Sequence, residues 1–200
     1  MQLPFYNKIS LQQQHVSLET LSEHDFSQLK KIGVNPKLWR YMSSQYTTSE
    51  ALEKYLYSFL KNHKERSMIP VCIKDNSSQK AIGMTCIGNI NNEKNEVELG
   101  WTWIEEAYQK TSTNRIVKLL MLNYIFNELN CNKVVFRVNE KNNISMRSLE
   151  KIGASFNGIT EIYVAETKQT VGVANYCIQK KEWKSSLEAK LQKLITAYNS

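Results

Sequence analysis

The sequence predicts a single mixed α/β (α+β) domain, with helices flanking one central, mainly antiparallel sheet. Two helical patterns come first, then a run of short strand patterns with turn-rich connectors, then helix and strand in alternation. The 200 residues show no break in composition and suffice for one substantial core. With 42% apolar and 22% charged residues, usage is that of an ordinary globular chain, which excludes wholesale disorder.

The elements follow in order. Residues 1–13 read as an N-terminal arm, and "HVSLETL" alternates like a short strand. In "SEHDFSQLKKIG", Ser22 is placed to cap a helix, Phe26, Leu29 and Ile32 recur at helical spacing, and Gly33 is placed to end it. A second helix runs through "TTSEALEKYLYSFLKNH", with Leu52, Tyr55, Leu56, Phe59 and Leu60 as its apolar stripe and Thr47 or Thr48 as its cap. Three strand patterns succeed it, "MIPVCIK", "KAIGMTCIGNI" and "NEVELGWTWI". The connectors "DNSSQ" and "NNEKN" are rich in turn formers, so a meander is predicted. From Thr113 to Leu129 the chain is apolar around most of the helical circumference, which predicts a helix buried against the sheet. The strand "NKVVFRV", the short helix "NNISMRSLEKIG" ending at Gly153 and the strand "TVGVANYCIQ" come next. An amphipathic helix over 182–198 closes the chain, with Trp183, Leu187 and Leu191 on one stripe.

Composition narrows the function. Net charge is +7, but the lysines are dispersed, with no helix carrying a dense basic stripe, so a nucleic-acid binder is the least supported reading. The four cysteines are far apart, without metal-ligand spacing, and read as buried free thiols in a reducing compartment. No segment has the roughly 18 uninterrupted apolar residues of a spanning helix, and the N-terminus lacks a signal pattern. A cytoplasmic protein without a metal or membrane partner is expected.

The stretch "YQKTSTNR", residues 108–115, lies at the entrance to the buried helix. The first turn of a helix offers N–H groups without intrahelical partners and the positive end of the helix dipole. A pyrophosphate can satisfy both, and Lys110, Arg115 and Lys118 add charge nearby. Equally, Thr111, Ser112 or Thr113 can simply cap the helix.

From "VELGWTWI" through "EKIGASF" the sequence resembles the Gcn5-related N-acetyltransferase (GNAT) superfamily, and within it the branch of ribosomal-protein N-acetyltransferases of the RimJ and RimL type. The resemblance covers roughly residues 14 to 184. It implies the GNAT-type acyl-CoA N-acyltransferase fold over one domain, and acetyl-CoA as cosubstrate. That superfamily binds the coenzyme A pyrophosphate on a loop of pattern [Q/R]-x-x-G-x-[G/A]. Here the matching residues are Gln109, Lys110, Thr111, Ser112, Thr113 and Asn114, followed by Arg115, with Ser112 and Asn114 standing at the two glycine positions. The backbone from Gly100 through Trp101, Thr102 and Trp103 is similar to the family strand that pairs with the pantetheine arm and donates an N–H to the oxyanion. Asn142 matches the family asparagine that touches pantetheine, although Asn142 or Asn143 is also a natural N-cap. Many members carry a tyrosine four residues before the helix-ending glycine as proton donor to the thiolate; the residue here is Leu149. The resemblance therefore leaves that role to Ser145 or to water.

The reaction so implied needs a base to free the attacking amine and donors to hold the oxyanion. Glu98 is the candidate base, with Glu96 on the same strand face as the alternative; both can also be plain strand charges. His15, His24 and His63 stand apart from any partner at motif spacing and read as structural. Trp39, Tyr41 and Tyr46 fall where the family shapes its acceptor pocket, or are core aromatics, and Trp101 and Trp103 share a face. The sequence thus points to transfer of an acetyl group from acetyl-CoA to a primary amine of a protein N-terminus or a small molecule, in a ternary complex. The alternative is a non-catalytic acyl-CoA-binding module, and a homodimer is compatible with either.

Overall fold

The computed structural model describes residues 8–42, 44–165 and 167–197. Eight strands form one sheet in the order β1-β2-β3-β4-β5-β6-β8-β7. They are β1 (Ser10–Gln13), β2 (Val16–Thr20), β3 (Ile69–Asp75), β4 (Ala81–Asn91), β5 (Glu96–Ile104), β6 (Lys133–Asn139), β7 (Ser155–Val164) and β8 (Gln169–Gln179). The predicted arm reaches into this sheet, since residues 10–13 are the strand β1; residues 1–7 lie outside the described residues. The predicted meander β3-β4-β5 is present, and every neighbouring pair is antiparallel except β5 and β6.

Two helical layers cover the sheet. On one face α1 (Phe26–Gly33) and α2 (Ser49–Lys64) bury Phe26, Leu29, Leu52, Leu56 and Phe59 against Cys72, Met84, Cys86 and Trp103. The capping signals act as read: the Asp25 carboxylate takes the N–H and hydroxyl of Ser22 at 3.0 and 2.9 Å, and Thr48 accepts from the Ala51 N–H at 3.2 Å. Ser22 opens a short 3₁₀ turn, Glu23–Asp25, that leads into α1.

On the other face lie α3 (Thr113–Asn123), α4 (Asn143–Ile152), α5 (Lys180–Glu182) and α6 (Glu188–Thr196). The apolar circumference of α3 is explained by two neighbours: it packs on β1 and β2 and is itself covered by α6. Ile116, Val117, Leu119, Met121 and Leu122 are all buried. Trp183 sits in a π-helical turn, Trp183–Leu187, fully buried against Phe126, and donates its indole N–H to Asn123 Oδ1 at 2.9 Å. Leu191 and Ile195 complete that stripe in the core. Gly153 ends α4 with φ of 92°, and a Cβ there would lie 2.5 Å from Leu187 Cδ2, so both backbone and packing call for glycine. All four cysteines are buried free thiols. Among the described residues no helix is long and apolar enough to cross a membrane.

Candidate active site

Strands β5 and β6 pair over three registers, Glu96 with Lys133, Val97 with Val134 and Glu98 with Val135. Beyond them β5 continues to Ile104 and β6 to Asn139, but no longer as partners. The cause lies on the other side of β5. Met84 pairs with Trp103 and Cys86 with Gly100, so Trp101 and Thr102 both stand opposite Thr85. This β-bulge puts Trp101 at φ of 52°, and the Thr102 hydroxyl meets that of Thr85 at 2.8 Å. An extra residue in one strand bends it and sharpens its twist, which turns β5 away from β6. The two edges, unpaired with each other from there on, make the mouth where an extended ligand can hydrogen-bond to backbone as a strand would.

The helix entrance lies at the end of β5. Gln109 donates its side-chain amide to the Ile104 carbonyl at 2.8 Å, tying the loop to the strand. Lys110 takes the turn at φ of 57°. The Thr111 hydroxyl lies 2.7 Å from the Tyr108 carbonyl and 2.8 Å from the Thr113 hydroxyl, and it accepts the Thr113 N–H at 3.1 Å. His15 Nε2 reaches the Thr113 hydroxyl from the β1–β2 turn at 2.8 Å. Ser112 stands at the N-cap without a side-chain cap bond, the Thr111 hydroxyl takes the first helical N–H instead, and the hydroxyls brace the loop from within. Ser112, with φ of −70°, has ordinary right-handed backbone, and Asn114 lies within α3. Neither altered glycine position needs glycine conformationally. The α3 dipole is positive at this end, and Lys110 and Arg115 lie on the same stretch as Glu105 and Glu106.

Helix α4 adjoins this entrance. Asn142 caps it by accepting the Ser145 N–H at 3.1 Å, and Ser145 is half-buried. Asn114 Nδ2 stands 3.5 Å from Ser148 Oγ, which joins the first turn of α3 to α4. Leu149 is buried in the core.

Glu98 is 6% exposed. Its Oε2 receives the Arg137 guanidinium from β6 and the Asn89 amide from β4, the latter at 2.7 Å. Its Oε1 lies over Gly100, at 3.2 Å from where a Cβ would stand, so the absent side chain leaves that oxygen room at the mouth. Glu96 shares the face and is ion-paired with Lys133 of β6. Both carboxylates are thus paired rather than solvated strand charges.

Trp101 and Trp103 do share a face, with Glu98, but their rings pack into the α1–α2 layer. Trp39 and Trp103 lie 5.6 Å apart, and Phe59 and Trp101 6.4 Å. Their contribution at the mouth is backbone. Trp39 is fully buried and donates to the Gly33 carbonyl at 2.6 Å, which makes it a core residue. Tyr46 stacks on Tyr55 at 4.2 Å at the rim of the same cluster.

Arg137, Asn89, Ser148 and the bond of His15 are not announced by the sequence pattern. Arg137 had one visible signal, a charge interrupting the apolar run of Val134, Val135, Phe136 and Val138. The others depend on register and on contacts remote in sequence. His63 meets the Met68 carbonyl at 3.0 Å and His24 is exposed, as structural histidines would be.

The family model described as "Acetyltransferase (GNAT) domain" matches residues 15–155. Among solved structures, a GCN5-related N-acetyltransferase from Brucella melitensis aligns at TM-score 0.85 and 18% identity, over 96% of this chain and 88% of that one. Mycobacterium smegmatis RimJ in complex with CoA-disulfide aligns at 0.75 and 15%, over 90% and 88%. A ribosomal-protein-S5-alanine acetyltransferase from Vibrio fischeri aligns at 0.72 and 15%, over 88% and 98%. At these identities the likeness is one of fold. No curated protein matches the sequence.

Proposed function

Since the chain belongs to the GNAT acetyltransferase family and is an N-acetyltransferase, we propose that its donor is acetyl-CoA, held across the α3 entrance and the β5–β6 mouth. The observation that carries this reading is the parting of β5 from β6 beside a braced helix entrance. In this reading the loop of Gln109, Lys110, Thr111, Ser112, Thr113 and Asn114 surrounds the pyrophosphate, with Arg115 nearby; the N–H groups of Gln109 and Thr113 are held by the Glu106 carbonyl and the Thr111 hydroxyl, so the anion is met by other N–H groups of the loop. The backbone of Trp101, Thr102 and Trp103 and the side chain of Asn142 line the pantetheine arm. The fit rests on chemistry present: helix N–H groups and cations for an anion, and two free strand edges for an amide-bearing chain.

Acetyl-CoA supplies an activated acyl carbon; the protein has to free the amine, orient it and hold charge. Glu98 is the proposed proton acceptor, through a water at Oε1, because Arg137 and Asn89 occupy Oε2 and fix the carboxylate. Glu96 is the alternative. An N–H of the bulged strand polarises the acyl oxygen. Ser145, or water held beside Asn142, protonates the leaving thiolate, since Leu149 offers no acid.

The acceptor is a primary amine, on a protein N-terminus or a small molecule. The Vibrio fischeri neighbour, named for the ribosomal-protein S5 alanine, supports the first. A reducing cytoplasm suits the four free thiols. Thiol release from acetyl-CoA, measured with a panel of small amines and of peptides with free N-termini, tests the reading. Acceptor-dependent release supports it, and none with any acceptor contradicts it.

A further inference from the structure

We infer that β7 is the surface by which two copies of this chain associate, its free edge pairing antiparallel with the same edge of a second copy about a two-fold axis at Ile162. The inference goes beyond the proposed function and does not depend on it. Strand β7 ends the sheet on one side, and it carries four of the six large apolar side chains that stand exposed among the described residues. Phe156, Ile159, Ile162 and Tyr163 are 43–64% exposed. A terminal strand leaves a row of backbone N–H and C=O groups open to pairing, and natural edges are blunted by shortness, lysine, proline or a bulge. The opposite edge of the sheet, β1, is blunted in this way, being the four residues "SLQQ" with one apolar side chain. Strand β7 has neither lysine nor proline. Its bulge, between Phe156 and Ile159, lies near its start, and Ile159–Val164 then keep unbroken register with β8.

The occupant is a second copy because this edge complements itself. Register with β8 puts Ile159, Glu161 and Tyr163 on one face of the sheet and Thr160, Ile162 and Val164 on the other. Two identical strands related by a two-fold axis meet as an isologous pair. Centred on Glu161, the pairing would set the one charge of β7 against its own copy, which is destabilising. Centred on Ile162, it packs Ile162 on the Ile162 of the second copy and sets Glu161 opposite the second copy's Tyr163, whose hydroxyl can donate to the carboxylate, twice by symmetry. Ile159 then lies diagonal to the same tyrosine, within reach of its ring. Counting roughly 200 Å² for a free side chain of this size, the four apolar residues expose roughly 400 Å² per copy. With the backbone edges and the polar side chains between them, pairing buries roughly 1,200 Å² in all, the lower bound of a specific interface, so a dimer that dissociates on dilution is expected.

Sedimentation of the full chain through the micromolar range, followed by cross-linking, tests this. Wild type should be a dimer at the upper end and a monomer on dilution. Ile162→Lys should be a monomer throughout with an unchanged circular-dichroism spectrum, because the side chain is exposed and a charge there blocks the edge. Tyr163→Lys, at a still more exposed position, should do the same. Ile162→Cys should form a covalent dimer under mild oxidation, since the two-fold axis brings the position to itself, whereas Thr160→Cys should not, because Thr160 meets Val164. The four native thiols are buried and stay out of this readout. A wild type that remains monomeric at every concentration, a dimer that survives both lysine variants, or Ile162→Cys cross-linking no faster than Thr160→Cys would each overturn the inference.

Discussion

Arg137 and Glu98 are joined by an ion pair at the place where β5 and β6 cease to be partners. Glu98 is buried there, whereas the Arg137 side chain is 42% exposed. The pair therefore works as a clasp at the base of the mouth, with one charge anchored in the sheet and the other reaching over it from solvent.

Arg137→Met should strand the Glu98 carboxylate with Asn89 as its remaining donor. A loss of about 2–3 kcal/mol is expected, below the roughly 3–5 kcal/mol of a fully buried pair because the arginine is half in water. Adding Glu98→Gln should restore much of it. Denaturant titration of the three variants checks this, and an Arg137→Met midpoint equal to wild type would show that the clasp carries no load.

For the chemistry, Glu98→Gln should depress the rate most at low pH, where the acceptor is protonated and needs a base, and less at high pH. The measurement is a pH–rate profile under saturating acetyl-CoA. A profile parallel to wild type would confine Glu98 to the clasp and move the base to Glu96 or water.

At α4, Ser145→Ala should lower turnover without abolishing it, at the lower end of the roughly 10²- to 10⁴-fold span of general acid help, because a thiol is a good leaving group. Asn142→Ala should cost about 1 kcal/mol through the lost cap. Turnover of Ser145→Ala indistinguishable from zero would make the serine indispensable and contradict a role shared with water.

The C-terminal segment closes the core rather than decorating it. Trp183→Ala should cost about 3–5 kcal/mol, the range for a buried aromatic, and deleting 182–200 should lower the melting temperature markedly. An unchanged melting curve for either would contradict the packing of Trp183, Leu191 and Ile195.

Much of this fold was legible because its signals are local. Ser22, Thr48, Asn142 and Gly153 mark helix ends by their own chemistry, and the apolar circumference of α3 announces burial. Strand β7 was not legible: its Phe156, Ile159, Ile162 and Tyr163 are exposed on an edge strand, and Gly158 at φ of 92° breaks its alternation. The π-helical turn at Trp183–Leu187 leaves no mark in periodicity either. At the site, the braced entrance could be read from "YQKTSTNR". The clasp could not, since Arg137 meets Glu98 only through a parallel register set by the whole α3 crossover.

Amide hydrogen exchange with and without acetyl-CoA tests directly whether the donor lies across the α3 entrance and the β5–β6 mouth. Acetyl-CoA bound there should give new protection in two segments, residues 109–115 and 100–104, with weaker protection at 142–145. Protection confined to other segments, or none at a concentration that saturates turnover, would contradict it.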